Sequence, residues 1–264
     1  MMGKNTLRVI ICMLIYCLFT SCYCYAADNI VDESAQYELY KQTFDKSTDL
    51  KQKMNEIIAL NQNSRWAGFA KIEIAKLLIS EGEADPTNAL TKFSDAENLL
   101  INVINSFGSL ESPVNDIYRG STGWILADIR DYNVDLTENI PIKLESLARL
   151  ELAKLYIKET RTKEAESQLE ILVNNKLLEQ LKSYYNGSSM SVYFCYPEQE
   201  ALRILFDLAI AKNKKKDAVA LASQIEQYGF PGDIEYAYKQ LENLEQKKQK
   251  NNKKIRGVRP RMGR

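Results

Sequence analysis

The sequence predicts an all-α fold, a solenoid of antiparallel helical hairpins behind an N-terminal signal or anchor segment. Three observations predict it. A ten-residue phrase occurs twice, Ala70–Ile79 returning as Ala148–Ile157 with six of ten positions identical. Apolar residues recur at steps of three and four over most of the chain, the period of a helix buried along one side. Strand-like alternation is nowhere sustained. A repeated amphipathic helix cannot bury its apolar side alone, so its copies stack.

Residues 1–26 read as the signal or anchor. Lys4 and Arg8 form a positive flank, and Val9–Cys22 is an uncharged, mostly apolar run of signal-core length. Three fates stay open. Cleavage after Ala26 has small residues at Cys24 and Ala26. Leu18–Cys22 resembles a lipobox, which would make Cys22 a lipidation site. Val9–Ala26 also reaches the short limit of a membrane span. Each fate leaves the body exported to the cell envelope, periplasmic or membrane-anchored, because the positive flank stays inside.

The helical repeat domain is expected over 27–249. After a polar lead-in, Ser34–Asn61 reads as two short helices broken near Asp45–Ser47. The first hairpin spans about 64–106. Its helix Ser64–Ser80 turns at Gly82, Asp85 and Pro86 and returns over Asn88–Ser106. Gly108, Pro113, Gly120, Gly123 and Pro141 then interrupt the pattern, and only a stretch ending at Tyr132 looks helical. The second hairpin, 142–174, pairs Ile142–Lys158 with Thr162–Asn174. Lys176–Tyr185 extends it, and Asn186–Pro197 is a Ser- and aromatic-rich loop. The third hairpin, 198–228, closes at Gly229–Pro231. A last helix covers Asp233–Lys248, and 250–264 is expected to be a disordered basic tail.

Composition excludes much chemistry. The chain has no histidine, which removes the imidazole of Ser-His-Asp and Cys-His systems and of most zinc sites. Cys195 is the one cysteine outside the leader, so no internal disulfide staples the body. Lys and Arg together equal Asp and Glu at 35 each, but Lys247–Arg264 holds nine basic residues and no acid. Setting aside those nine and the two leader cations, the body carries 35 acids against 24 bases, a net of −11. Such a body does not suit a nucleic-acid partner. No catalytic, cofactor or metal constellation stands out.

The second hairpin reads Leu152-Ala153-x-x-Tyr156, then Ala165-x-x-x-Leu169-x-x-Leu172. This resembles the tetratricopeptide repeat, with its small residues where paired helices come closest. The first hairpin follows with Ala75, Leu78, Ala96, Leu100 and Val103, the third with Ala209, Ala218, Ala222 and Ile225. The pattern's Trp is Arg149 here, and Phe206 stands where it has a small residue. The resemblance implies a right-handed solenoid. With the leader and the acidic body, it also extends to two bacterial envelope groups. These are the membrane-anchored ancillary subunit of the Sec translocon and the lipoproteins that assist outer-membrane barrel assembly.

In this repeat family the first helix of each hairpin lines a concave groove. Matching positions place Phe69, Ile72, Lys76, Ile79 and Ser80 of the first hairpin there. The second contributes Leu147, Leu150, Lys154, Ile157 and Lys158, and the third Glu200, Arg203, Asp207, Ile210 and Ala211. Lys76, Lys154, Lys158 and Arg203 would form a cationic strip suited to a carboxylate of an extended peptide or a partner's C-terminus. The function this implies is a non-enzymatic interaction scaffold or chaperone-like adaptor for an envelope protein or peptide. The alternative is a carboxylate-dependent hydrolase of envelope polysaccharide using a pair such as Glu73 and Glu151. The aromatics Tyr184, Tyr185, Tyr193, Phe194 and Tyr196 read as pins for a loop, and Trp66 and Trp124 as core.

Overall fold

The computed structural model describes residues 33–43, 49–113, 142–174, 178, 196–228 and 231–257. Outside them lie the leader with Cys22, the break at 45–47, the segment 114–141 with Trp124, Cys195, the loop aromatics before Tyr196, and residues 258–264. Among the described residues the fold is all-α. The chain divides at Pro113 into two compact units.

The first unit contains α1 (33–42), α2 (Leu50–Leu60), α3 (Arg65–Ala84) and α4 (Ala89–Phe107). Asp49 caps α2 by accepting the Gln52 N–H at 3.1 Å, and Ser64 Oγ accepts the Ala67 N–H at the start of α3. α3 is the hub, packed on α2 and α4. Its sequence is small and apolar around most of its girth because it is covered on more than one side. Ala70, Ile72, Ile74, Ala75 and Leu78 are all buried. It runs past Ser80, and Gly82 lies inside the helix rather than in the turn. A Cβ there would come within 2.6 Å of the Phe93 ring, so glycine permits the close approach of α4. Trp66 meets Tyr37 and Tyr40 of α1 at ring separations of 5.7 and 5.4 Å. The buried Gln36 donates to the carbonyls of Ile57 and Asn61 at 2.7 and 3.2 Å.

The second unit contains α5 (Leu144–Lys158), α6 (Thr162–Val173), α7 (Pro197–Ala211), α8 (Lys215–Tyr228) and α9 (Pro231–Gly257). α5 pairs with α6, and α7 with α8. α7 packs on both α5 and α6, and α9 packs on both α7 and α8. The two pairs turn identically. Thr160 and Asn213 are left-handed (φ 61 and 56) at matching positions. The next amide in each turn, Arg161 or Lys214, bonds back to the carbonyl of Tyr156 or Ala209 at 2.8 or 2.9 Å. This pattern satisfies the carbonyls at a helix end.

The packing repeats as well. Ala153 of α5 clusters with Leu169 and Leu172 of α6 and Ala201 and Leu205 of α7. Phe206, at the matching position of α7, clusters with Ala222 and Ile225 of α8 and Ala237 of α9. Ala75, Ala153 and Phe206 are each completely buried. Phe206 is tolerated at a small-residue position because its neighbour also changes. Leu169 in one pair corresponds to Ala222 in the next, so volume is exchanged between facing helices and not added.

A second boundary also differs from the sequence expectation. α9 continues to Gly257, so the tail expected to be disordered from 250 is helical that far.

Candidate interaction face

The four cations named from the sequence fall in two groups. Lys76 stands on α3 in the first unit, exposed, its Nζ 2.8 Å from Glu73. Lys154, Lys158 and Arg203 stand on α5 and α7 of the second unit, together with acids that change the character of the face. Lys154 Nζ lies 2.9 Å from both Glu151 on its own helix and Glu200 on α7. Burial would lower its pKa, but the two carboxylates outweigh burial and hold it above the ordinary lysine value. Arg203 sits 3.6 Å from Asp233 on α9, with its guanidinium 5.6 Å from the centre of the Tyr236 ring. Tyr236 donates its hydroxyl to Asp207 at 2.9 Å. Lys158 is exposed at the end of α5.

The strip is therefore mixed in sign, not cationic. Lys154 bridges α5 to α7, and Arg203 bridges α7 to α9. The acids Glu151, Glu200, Asp207 and Asp233 outnumber them. Burial raises the Asp233 pKa, Arg203 opposes the rise, and Asp207 and Glu200 add to it. Phe69, Ile72, Ile79 and Leu150, carried to groove positions by the repeat pattern, are buried in the core instead. Ser80, Leu147, Ile157, Ile210 and Ala211, placed by the same pattern, remain at least partly accessible. Asp233 and Tyr236 escaped the sequence reading because α9 reads as a terminal helix. The available signal was that Ala237 and Leu241 recur at the spacing of Ala201 and Leu205.

The recurring glutamates act alike. Glu73 pairs with Lys76 and Glu151 with Lys154, each three residues on, at 2.8 and 2.9 Å. Among the described residues no group of three or more His, Cys, Asp or Glu is placed to hold a metal ion. A shallow open depression of about 560 Å³ lies over α2, lined by Asp49, Lys51, Gln52, Asn55, Glu56 and Ala59. Its Glu56 is tied to Lys53 at 2.6 Å.

One carboxyl is buried away from this face. Glu198, at the start of α7, is fully covered and accepts the Ser146 hydroxyl of α5 at 2.6 Å, while its other oxygen has no partner among the described residues. Burial pushes its pKa up, against the Ser146 bond and its own backbone amide. The folded carboxyl thus keeps its proton to higher pH than the unfolded one. The stability it contributes is complete below the unfolded pKa and is lost as pH rises through the folded one. Within that window the slope is at most about 1.4 kcal/mol per pH unit. Glu198→Gln is expected to flatten this part of the curve, measured as urea midpoints across pH.

No protein-family profile, curated protein or solved structure matches the chain.

Proposed function

We propose that the chain is a non-enzymatic interaction scaffold of the tetratricopeptide type. In this reading it is exported by its leader and holds a protein segment or partner subunit on the outer side of a bacterial envelope. The observation that carries this is the successive packing in the second unit. Each first helix, α7 and then α9, leans on both helices of the pair before it, with matched turns and matched cores. Repetition of that step is what winds hairpins into a right-handed solenoid and leaves the first helices lining one concave side. Lys154–Glu200 and Arg203–Asp233 cross between first helices, which supports that side as the binding face in this reading.

A mixed-charge face of this kind selects by complementarity, since each exposed pair contributes little on its own. Its acidic excess fits a segment carrying basic groups better than the carboxylate terminus that a purely cationic strip would take. The leader supports the envelope location. The ion-paired, repeated Glu73 and Glu151 support a structural role for the recurring acid, and no observation favours them as an acid/base pair of a polysaccharide hydrolase.

The test is a photo-crosslinking residue at 158 or 203, compared with one at Ile171 or Val219 on the exposed sides of α6 and α8. One defined envelope protein is expected from 158 and 203. Its yield should fall about fivefold with Glu200→Lys. Equal yield from 171 and 219 would overturn the reading.

A further inference from the structure

The seam between α5 and α7 holds the one carboxyl that is buried among the described residues. Glu198 stands in the first turn of α7 and Ser146 in the first turn of α5. A single bond of 2.6 Å from the Ser146 hydroxyl joins them, and the second carboxyl oxygen has no partner among the described residues. Apolar groups of both helices close around the pair. Ile142, Leu147 and Leu202 belong to one cluster, and Leu150, Ala153 and Ala201 to another. The next residue, Gln199, ties α7 in a different direction, donating to the Tyr228 carbonyl at the end of α8 at 2.6 Å.

This arrangement suits only one protonation state. A carboxylate has about four acceptor sites, and an ion taken out of water needs an opposite charge beside it. The Ser146 hydroxyl and its own backbone amide are what Glu198 has. The charged groups on the elements packed around the start of α7 supply no counter-ion. On α5, Lys143 points to solvent, and Arg149 is held by Glu145 and by Gln168 of α6. Glu170 of α6, Glu226 and Tyr228 of α8 and Asp233 of α9 are all acids, which repel a further negative charge.

We infer that the Ser146–Glu198 contact is a proton-operated latch, which holds the α5–α7 seam shut while Glu198 carries its proton and lets the start of α7 part from α5 when the proton leaves. Burial sets the direction. The shut seam favours the neutral carboxyl, so it is stable at low pH and opens as pH rises through the folded pKa. Lys154–Glu200 crosses the same seam. The latch therefore also governs assembly of the mixed-charge face, a consequence that rests on the interaction reading proposed above.

Hydrogen exchange on the full chain tests the latch without any partner. The amides of Ala201–Leu205 in α7 lie beside the seam, and those of Leu221–Gln224 in α8 serve as the internal reference. A helix of 15 residues keeps little protection without packing, so an open seam speeds exchange in α7. After correction for the intrinsic pH dependence of exchange, the α7-to-α8 rate ratio is expected to be flat at low pH. Above the Glu198 midpoint it should rise by up to about tenfold per pH unit. Glu198→Gln keeps the shape without the titrating proton, and its ratio should stay flat. Ser146→Ala separates a latch from a plain structural bond. The hydroxyl favours the ionised form, so its loss should move the midpoint to higher pH, whereas loss of a plain bond speeds exchange equally at every pH. A flat ratio in the parent chain, an equal rise in α8, a rise that persists in Glu198→Gln, or a midpoint that Ser146→Ala leaves in place would overturn the latch and leave the interaction reading standing. Crosslinking from 203 should weaken over the same pH range. A constant yield while the ratio rises would overturn the latch's hold on the face.

Discussion

Phe206→Ala is expected to destabilise the second unit by about 3–5 kcal/mol, the usual range for emptying a buried aromatic position. The substitution restores the residue type that the repeat pattern has at this place, so a pattern argument alone predicts a gain. Packing predicts the opposite. Phe206 is completely buried, with the Tyr236 ring 6.4 Å away at 71° and the small residues Ala218, Ala222 and Ala237 around it. Removing the ring leaves a hole that Ala218, Ala222 and Ala237, with no side-chain freedom, cannot fill, and close packing keeps Leu202 and Ile225 of the same cluster from collapsing fully into it. The earlier pair shows how the hole is filled when the position is small, because Ala153 faces Leu169. Ala222→Leu should therefore overpack the native unit by about 1–3 kcal/mol yet partly repair Phe206→Ala. The double variant is expected to be more stable than the sum of the singles by about 1–3 kcal/mol, measured by urea unfolding. Strict additivity would mean that the two pairs are not equivalent.

The all-α fold and its buried small positions were legible because helix period and small-residue spacing are local properties. Ala75, Ala96, Ala153, Ala165 and Ala218 are all fully buried, at the places where the pattern puts close approach. Helix ends were less legible. Gly82 looks like a stop but serves the contact with Phe93 inside α3. The charged face was the least legible part. Its cations were named, but the carboxylates that meet them come from neighbouring helices, and that choice is made by the register of packing. Glu198 shows the same limit. An acid at the start of a helix reads as a solvated, dipole-favoured group, yet here the α5–α7 contact closes over it.

Trp66→Ala is expected to cost the first unit about 3–5 kcal/mol, with the loss centred on α1. Trp66 is 2% exposed and is the hub of a ring cluster. Tyr37 and Tyr40 lean on it from α1, and Phe69 meets it edge-on at 6.3 Å and 89°. α1 is a short helix, too short to persist without tertiary contacts. Its other ties include the Tyr40 ring against Phe69 at 5.6 Å, the Gln36 bonds to Ile57 and Asn61 and the partly buried pair between Glu33 and Arg65. Without the indole, the centre of the apolar attachment is gone. The hydrogen bonds of Gln36 then carry an uncovered amide whose oxygen already lacks a partner among the described residues. Hydrogen exchange on the amides of residues 36–42 should accelerate well beyond that of α3, so that α1 frays before the unit melts. Trp66→Phe keeps a ring at the centre and should recover most of the protection. If α1 stayed as protected in Trp66→Ala as in the parent chain, some attachment other than this cluster would be holding it.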